Sequence, residues 1–293
     1  MKLKIDSHRC RPMLHLAGLC VFLTACAPPM EVDSDAIALL MRVAQSEYEV
    51  IELRGRITIT DTKQIPSAVL KSFSELSASV ERLEIRFTFR DRTHFDIVLI
   101  ADTVSVGHLV CDGENVQFSG RSMGSWADLR NSDEGEGKGE ADEVGTSKDS
   151  RDGLWWLYFS VAEHLFPLSP EPSFDPRVFQ SLLTKGGLSF CPDTTIELSD
   201  TDRPEDGTRL MCAECVFPNQ IVWRYYIATG EPPYVLRRQV LFNEQVITDL
   251  AYASPMPTPT HGKTCVFMQR LRRLVSDQGQ TISILTDLES VGP

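Results

Sequence analysis

Two hydrophobic periods take turns along this chain. Over residues 35–48 apolar side chains recur every three or four positions, at Ile37, Leu40, Met41 and Ala44. That spacing predicts a helix with one buried stripe, and Asp33 or Ser34 stands where a cap belongs. The period then falls to two. Leu53, Gly55, Ile57 and Ile59 alternate with Arg54, Arg56, Thr58 and Thr60, as in a strand with one face in the core. Val69, Leu70, Phe73 and Leu76 return to helical spacing and suggest a short helix over 66–76. The cleanest alternation follows: Leu83, Ile85, Phe87 and Phe89 against Glu84, Arg86, Thr88 and Arg90. Strands over 95–101, 104–111 and 116–118 come next, and Asp112-Gly113-Glu114-Asn115 joins the last two as a hairpin turn. These connections leave no room for crossover helices, so the strands must form an antiparallel meander.

Residues 131–152 carry almost no apolar side chains and are rich in Asp, Glu, Gly, Ser and Lys. Such a stretch cannot offset its ordering entropy by burial, so it reads as a flexible acidic insertion within one domain. Residues 153–166 are apolar and aromatic, with Trp155, Leu157, Tyr158, Val161 and Leu165, and predict a helix ended by Pro167, Pro170 and Pro172. Residues 175–184 predict another, stopped at Gly186-Gly187. Strands then resume at 188–190, 194–198, 209–212, 221–227, 234–242, 246–253, 264–275 and 281–288. Asn243-Glu244-Gln245 makes a tight turn, and Pro255, Pro257 and Pro259 are expected to break the chain. The expected fold is therefore α+β and mostly antiparallel β, with about eleven strands and three or four helices.

The N-terminus changes the setting. Lys2, Lys4, Arg9 and Arg11 precede an apolar run, Met13 to Ala25, which is the anatomy of an export signal. The run closes on Leu23-Thr24-Ala25-Cys26, which resembles the lipobox of bacterial lipoproteins. The resemblance implies a signal peptide over 1–25, acylation of Cys26, and a lipidated tether over 26–34 leading into a single domain over 35–293. Ala27 follows the cysteine where some bacteria place Asp to retain lipoproteins in the inner membrane, so similarity to that rule favours the outer membrane. The full chain of 293 residues carries a formal charge of −12, and losing the basic leader makes the remainder more acidic still. An acidic surface disfavours nucleic acid and gives no pull towards anionic headgroups, which leaves the lipid anchor as the means of membrane attachment.

Of the eight cysteines, Cys111, Cys191, Cys212, Cys215 and Cys265 lie beyond the lipobox, in a compartment where disulfides form. A hairpin centred near Arg203 would set Cys191 opposite Cys215. The expectation is Cys191–Cys215 or Cys191–Cys212, in preference to a bond within Cys212-Ala213-Glu214-Cys215. A redox dithiol would need a βαβ setting, and a zinc site would need two more ligands at ribbon spacing; neither context is present. Gly120-Arg121-Ser122-Met123-Gly124 matches the nucleophile-elbow pattern of serine hydrolases, but a hairpin strand precedes it and no helix directly follows. Ser122 thus stands as a minor alternative, and no catalytic residue is assigned. His94, His108, His164 and His261 are scattered without ligand spacing. No glycine-rich phosphate loop stands between a strand and a helix, so no cofactor or metal is expected. Arg237, Arg238, Arg270, Arg272 and Arg273 read as a solvated strand face.

The order of elements is similar to the LolA/LolB/RseB-like lipoprotein-localisation fold. The stretch from Phe87 to Phe118, with its basic outward residues and Asp-Gly hairpin, looks like the family's first half. The stretch from Pro233 to Arg238, with Ile247 to Tyr252, looks like its later strands. The resemblance implies a half-open barrel whose concave side is apolar and covered by helices, binding acyl chains or lipoproteins there. A curved sheet of this size would be lined by Leu83, Ile85, Phe87, Phe89, Trp223 and Tyr225. The expected function is a carrier or sensor of a lipid or acylated polypeptide in the cell envelope. A structural or protein-interaction lipoprotein without ligand is the alternative.

Overall fold

A computed structural model describes residues 32–48, 53–59, 82–119, 121–127, 148–191, 208–217, 219–260, 263–277 and 280–290. Cys26 and the leader, the expected helix at 66–76, residues 131–147 of the acidic insertion, and the expected strand at 194–198 lie outside the described residues. The elements are α1 (Ser34–Tyr48), β1 (Leu53–Ile59), β2 (Leu83–Phe89), β3 (His94–Ala101), β4 (Val104–Asp112), β5 (Asn115–Phe118) and β6 (Arg121–Ser125). There follow α2 (Lys148–Leu165), α3 (Pro176–Lys185), β7 (Gly187–Phe190), β8 (Leu210–Val216), β9 (Ile221–Ala228), β10 (Tyr234–Phe242), β11 (Gln245–Thr260), β12 (Lys263–Asp277) and β13 (Gln280–Ser290).

The thirteen strands among the described residues form one antiparallel sheet, in the order β6-β5-β4-β3-β2-β1-β13-β12-β11-β10-β9-β8-β7. Every neighbour but one is consecutive in sequence. The exception, β1 with β13, joins the two meanders through pairs such as Ile57 with Leu288. Among the described residues β6 and β7 stand at the two ends and do not pair, so the sheet is open.

The helices show how strongly this sheet curves. Helix α1 touches both β7 and β12, and α2 touches both β4 and β12. In each case the two strands are five spacings apart. That is ~24 Å on a flat sheet at ~4.8 Å per strand, while a helix is only ~10–12 Å wide. Each half of the sheet must therefore wrap around its own helix. One wing encloses α2 in a core of Ile57, Ile85, Phe89, Leu99, Trp126 and Tyr158. The other encloses α1 and α3 in a core of Leu40, Val43, Leu183, Tyr225, Leu250 and Leu271. Strand β12 serves both, with Phe267 in the first core and Met268 in the second.

Local chemistry accounts for the helix ends. Asp33 Oδ1 accepts from the amides of Asp35 at 2.8 Å and Ala36 at 3.2 Å, so Asp33 is the cap of α1. The Asp33 amide also donates to Leu188 O of β7, tying the start of α1 to the sheet edge. The buried stripe of α1 is Ala36, Leu39, Leu40, Val43, Ala44 and Glu47; Ile37 and Met41 lie at its half-buried border. Asp175 caps α3 and Pro176 fills its first position.

Several expectations need correction. Helix α2 starts at Lys148, inside the stretch expected to be a flexible insertion over 131–152, and the described strands number thirteen rather than about eleven. The segment around Ser122 is a strand: β6 pairs with β5, with Ser122 opposite Gln117. Nor do Pro255, Pro257 and Pro259 break the chain, since β11 runs on through them paired to Met268, Val266 and Thr264 of β12. Successive N–H groups of a strand point to opposite sides, so prolines two apart all lack the donor on one side. The pairing with β12 shows that this is the side away from β12. The β10 ladder ends at Ala251, before the first of them.

Candidate functional site

The residues expected to line one hollow lie in two places. Leu83, Ile85, Phe87 and Phe89 share the helix-facing side of β2 and are buried in the α2 wing. Tyr225 is buried in the other wing, where Trp223 is half-buried and meets Phe217 edge-on at 4.8 Å. The first wing is filled. Phe89 stacks on Phe95 at 5.1 Å and meets Tyr158 and Phe166 at 6.1 and 6.2 Å, and Trp126 packs against Phe95, Trp155 and Tyr158. Between Gly153 and Leu168 every side chain except Trp155 and Ser160 is buried, so α2 and the turn after it occupy the space an open barrel would leave empty.

Two polar contacts hold α2 to β12. Glu163 pairs with Arg273, which burial pushes down to about 10. The buried His164 donates from Nδ1 to Met268 O at 2.9 Å. Arg273 thus leaves the expected solvated face, as does Arg237, whose Nε and Nη2 bind Asp249 at 2.8 and 2.6 Å. Arg270 and Arg272 are exposed, as expected.

The most polar part of the interior is a seam between the wings. The segment after α2 runs from Phe166 to Phe174 and carries three prolines, which supply carbonyls without N–H groups. Two arginines, one buried and one half-buried, meet the carbonyls that lie between those prolines. Arg92, from the turn between β2 and β3, donates through Nη1 to Ser169 O at 2.6 Å and Glu171 O at 3.1 Å. Its guanidinium lies 3.8 Å from the centre of the Phe166 ring and 4.8 Å from that of Phe174. Arg238 of β10 donates through Nη1 to Leu168 O at 3.3 Å. Glu47, the last member of the α1 stripe, accepts from the Leu168 amide at 2.6 Å and lies 3.9 Å from Arg92. Burial pushes the Glu47 carboxyl up to about 8, against the pull of Arg92, the amides of Leu168 and Ser169, and Arg238. Tyr225 and Tyr252 close the seam, and burial raises both phenols further. Glu47 Oε2, Arg238 Nε and Tyr252 Oη are buried without hydrogen-bond partners. Beside Glu47, among Pro167, Tyr234 and Met268, is a cavity of about 10 Å³, room for one water.

No protein-family model matches the chain, and no curated protein matches it. It is similar to a chain of the complex structure of Pseudomonas aeruginosa MucA/MucB. The identity is 10%, the match covers 89% of this chain and 94% of that one, and the TM-score is 0.27. At that score the likeness decides neither fold nor function, and the geometry has to carry the reading.

The remaining candidates fall into place individually. Cys191 is bonded to Cys212, with Cα atoms 5.2 Å apart. Strand β7 pairs Phe190 with Ala213, so the next rung joins Cys191 to Cys212, while Cys215 lies opposite Leu188. Cys215 is free and buried, and burial pushes its thiol up to about 12. Ser122 is exposed within edge strand β6, which stays paired to Ser125 before helical residues begin at Trp126, so Ser122 does not sit on the strained strand-to-helix turn a nucleophile elbow needs. Among the described residues no group of His, Cys, Asp and Glu could hold a metal ion. No described helix is long and apolar enough to cross a membrane. The sequence reading missed Glu47 and Arg92, and it placed Arg238 on a solvated face where the structure turns it to Leu168 O. Glu47 alone left a local sign, a carboxylate in register with an apolar helical stripe.

Proposed function

We propose that this chain is a cell-envelope lipoprotein, anchored through acylated Cys26, that takes up an acyl chain of a lipid or acylated polypeptide and catalyses nothing. The supporting observation is an apolar inner sheet face covered by helices that one polar seam fastens across both wings. Apolar packing alone would hold a permanent core. Here the segment joining α2 to α3 is held by Glu47, Arg92 and Arg238 from three separate elements, the arrangement expected of a cover that can be released. In this state α2 occupies the wing, so uptake requires α2 and the segment after it to shift. The lipobox motif places the domain at a membrane, where acyl chains are the available apolar ligand. The absence of catalysis is supported by the edge position of Ser122 and by the engagement of His164 Nδ1 with Met268 O.

The filled α2 wing favours a second reading, an envelope lipoprotein that binds a protein partner and holds no ligand. Displacement of a fluorescent fatty-acid probe separates the two. The chain from Ala27, exported behind a conventional signal peptide, keeps every described element. The carrier reading expects saturable probe binding, displaced by palmitate, with circular dichroism confirming the fold. A folded chain that binds no probe leaves the partner reading. For the anchor, Cys26→Ser is expected to give a soluble or uncleaved protein; a processed variant that stays with membranes contradicts it.

A further inference from the structure

The exposed apolar side chains gather at one corner of the sheet. Of the five large hydrophobic residues exposed among the described residues, three lie there: Val216 at 37%, Phe242 at 44% and Val246 at 39%. Strand register puts them together. Val216 of β8 pairs with Val222 of β9, Val222 with Leu241 of β10, and Leu241 with Val246 of β11. This row crosses three strand spacings, ~14 Å. It lies on the face turned away from the helices, because its neighbours along the strands, Cys215, Ile221 and Val240, pack in the α1 core. Phe242 stands one residue on, at the hairpin tip. The adjoining turns are polar but carry little charge: Asn219, Gln220, Asn243, Glu244 and Gln245 are all exposed. The opposite end of the same wing is charged, with Arg42 of α1 paired to Glu231 of the turn between β9 and β10, both exposed.

The entry of the chain into the domain lies at the apolar corner. The Asp33 amide donates to Leu188 O of β7, and β7 sets Gly187 opposite Val216. Asp33 is seven residues from Cys26. Seven residues reach at most ~25 Å, against ~19 Å from β7 to β11 on a flat sheet. A lipid on Cys26 therefore keeps the whole row within reach of the membrane surface.

We propose that the corner formed by Val216, Val222, Leu241, Phe242 and Val246 is a membrane-docking surface, and that its occupant is the lipid interface to which Cys26 is anchored. This rests on the acylated Cys26 of the reading above and adds the orientation of the domain to it; it does not depend on acyl-chain uptake. An exposed apolar patch rimmed by polar residues marks an interaction surface. At a bilayer such a patch sinks its side chains into the boundary between headgroups and acyl chains, while the polar turns stay among the headgroups. The only charged residue of the two turns is Glu244, so the surface lacks the Lys and Arg that recognise anionic lipid. Docking is therefore apolar, and zwitterionic phosphatidylcholine suffices for it.

The test uses the full protein extracted from membranes, with acylation checked by intact mass, reconstituted in phosphatidylcholine vesicles. An environment-sensitive fluorophore is attached at Val246→Cys, and at Arg42→Cys as the control on the charged end; protein without an added cysteine is the labelling blank. Emission from position 246 is expected to shift to the blue and to be quenched by spin-labelled phosphatidylcholine. Emission from position 42 is expected to do neither, and added phosphatidylglycerol should change neither result. Adding Val216→Asp/Phe242→Asp to the 246-labelled protein should abolish the shift, with circular dichroism confirming the fold. If that variant does not fold, the comparison of positions 246 and 42 decides. An acylated protein whose position 246 stays in water, or behaves as position 42 does, overturns the docking surface and leaves the anchor intact. A shift retained in the folded Asp variant, or one that needs phosphatidylglycerol, also overturns it. A shift that grows with protein concentration without vesicles assigns the corner to a second copy instead. A mature chain without an acyl group on Cys26 defeats the anchor reading, and the docking surface with it.

Discussion

Arg92 and Arg238 come from opposite wings of one sheet and donate to adjacent carbonyls, Ser169 O and Leu168 O. Strands β2 and β10 are five positions apart in the sheet order, yet their arginines converge on one turn. The convergence depends on the curvature of the sheet and on the proline-rich segment that crosses between the wings. It makes the seam the place where the two wings are tied through the segment after α2.

Glu47 makes the stability of that tie pH-dependent. Burial raises its folded pKa from the ordinary 4.5 to about 8, so the folded state holds the proton more tightly than the unfolded state. The contribution is fully present below about pH 4.5 and is lost as pH rises through about 8. The groups facing Glu47 are Arg92, Arg238, Tyr225 and Tyr252, and burial pushes both tyrosines higher, out of this window. Thermal melts should show the wild type losing stability between about pH 5 and 8, relative to Glu47→Gln, which keeps a neutral acceptor for the Leu168 amide. Parallel curves for the two proteins would contradict the buried, protonated carboxyl.

The disulfide separates the register of β7 and β8 from the one the sequence suggested. Peptide mapping without reduction should recover Cys191 joined to Cys212, with Cys215 alkylated only after denaturation because its buried thiol resists ionisation. Replacing both bonded cysteines by Ala should cost about 2–4 kcal/mol in denaturant unfolding. A Cys191–Cys215 peptide would contradict the register.

The α2 wing should behave as a packed core when empty. Leu157 is fully buried on α2, and Leu157→Ala should cost about 2–5 kcal/mol in chemical unfolding. Ser122→Ala on the exposed edge should stay within about 0.5 kcal/mol of the wild type and leave any ligand binding unchanged. A large loss at Ser122 would point to a role that its position does not explain.

Much of this fold was legible because it is local. The alternation of Leu83 to Phe89 named the buried face of β2, and the Asp112-Gly113 pair named a turn. Gly113 has φ +100°, and a Cβ there would meet the His94 ring at 2.5 Å. Helices α2 and α3 announced themselves by the apolar run at 153–166, the prolines that end it and the glycines at 186–187. Features that depend on a partner strand stayed hidden. The prolines of β11 read as breakers because their shared side becomes visible only once β12 is known. The register of β7 was displaced because the hairpin centre at Arg203 was inferred from sequence symmetry. The single hollow became two wings because no local pattern reports which helix a strand curves around. Glu47, Arg92, Leu168 and Arg238 are far apart in the chain, and only the curved sheet brings them together.

The central claim is that the inner face of this sheet receives an acyl chain. Native mass spectrometry of the chain exported from Ala27 tests it most directly, because it weighs what the protein carries out of the cell. The account predicts a population heavier than the bare polypeptide by the mass of an acyl-bearing ligand, released on activation and lost in a folded Phe87→Asp variant. A wild-type spectrum of bare, folded polypeptide alone would contradict it.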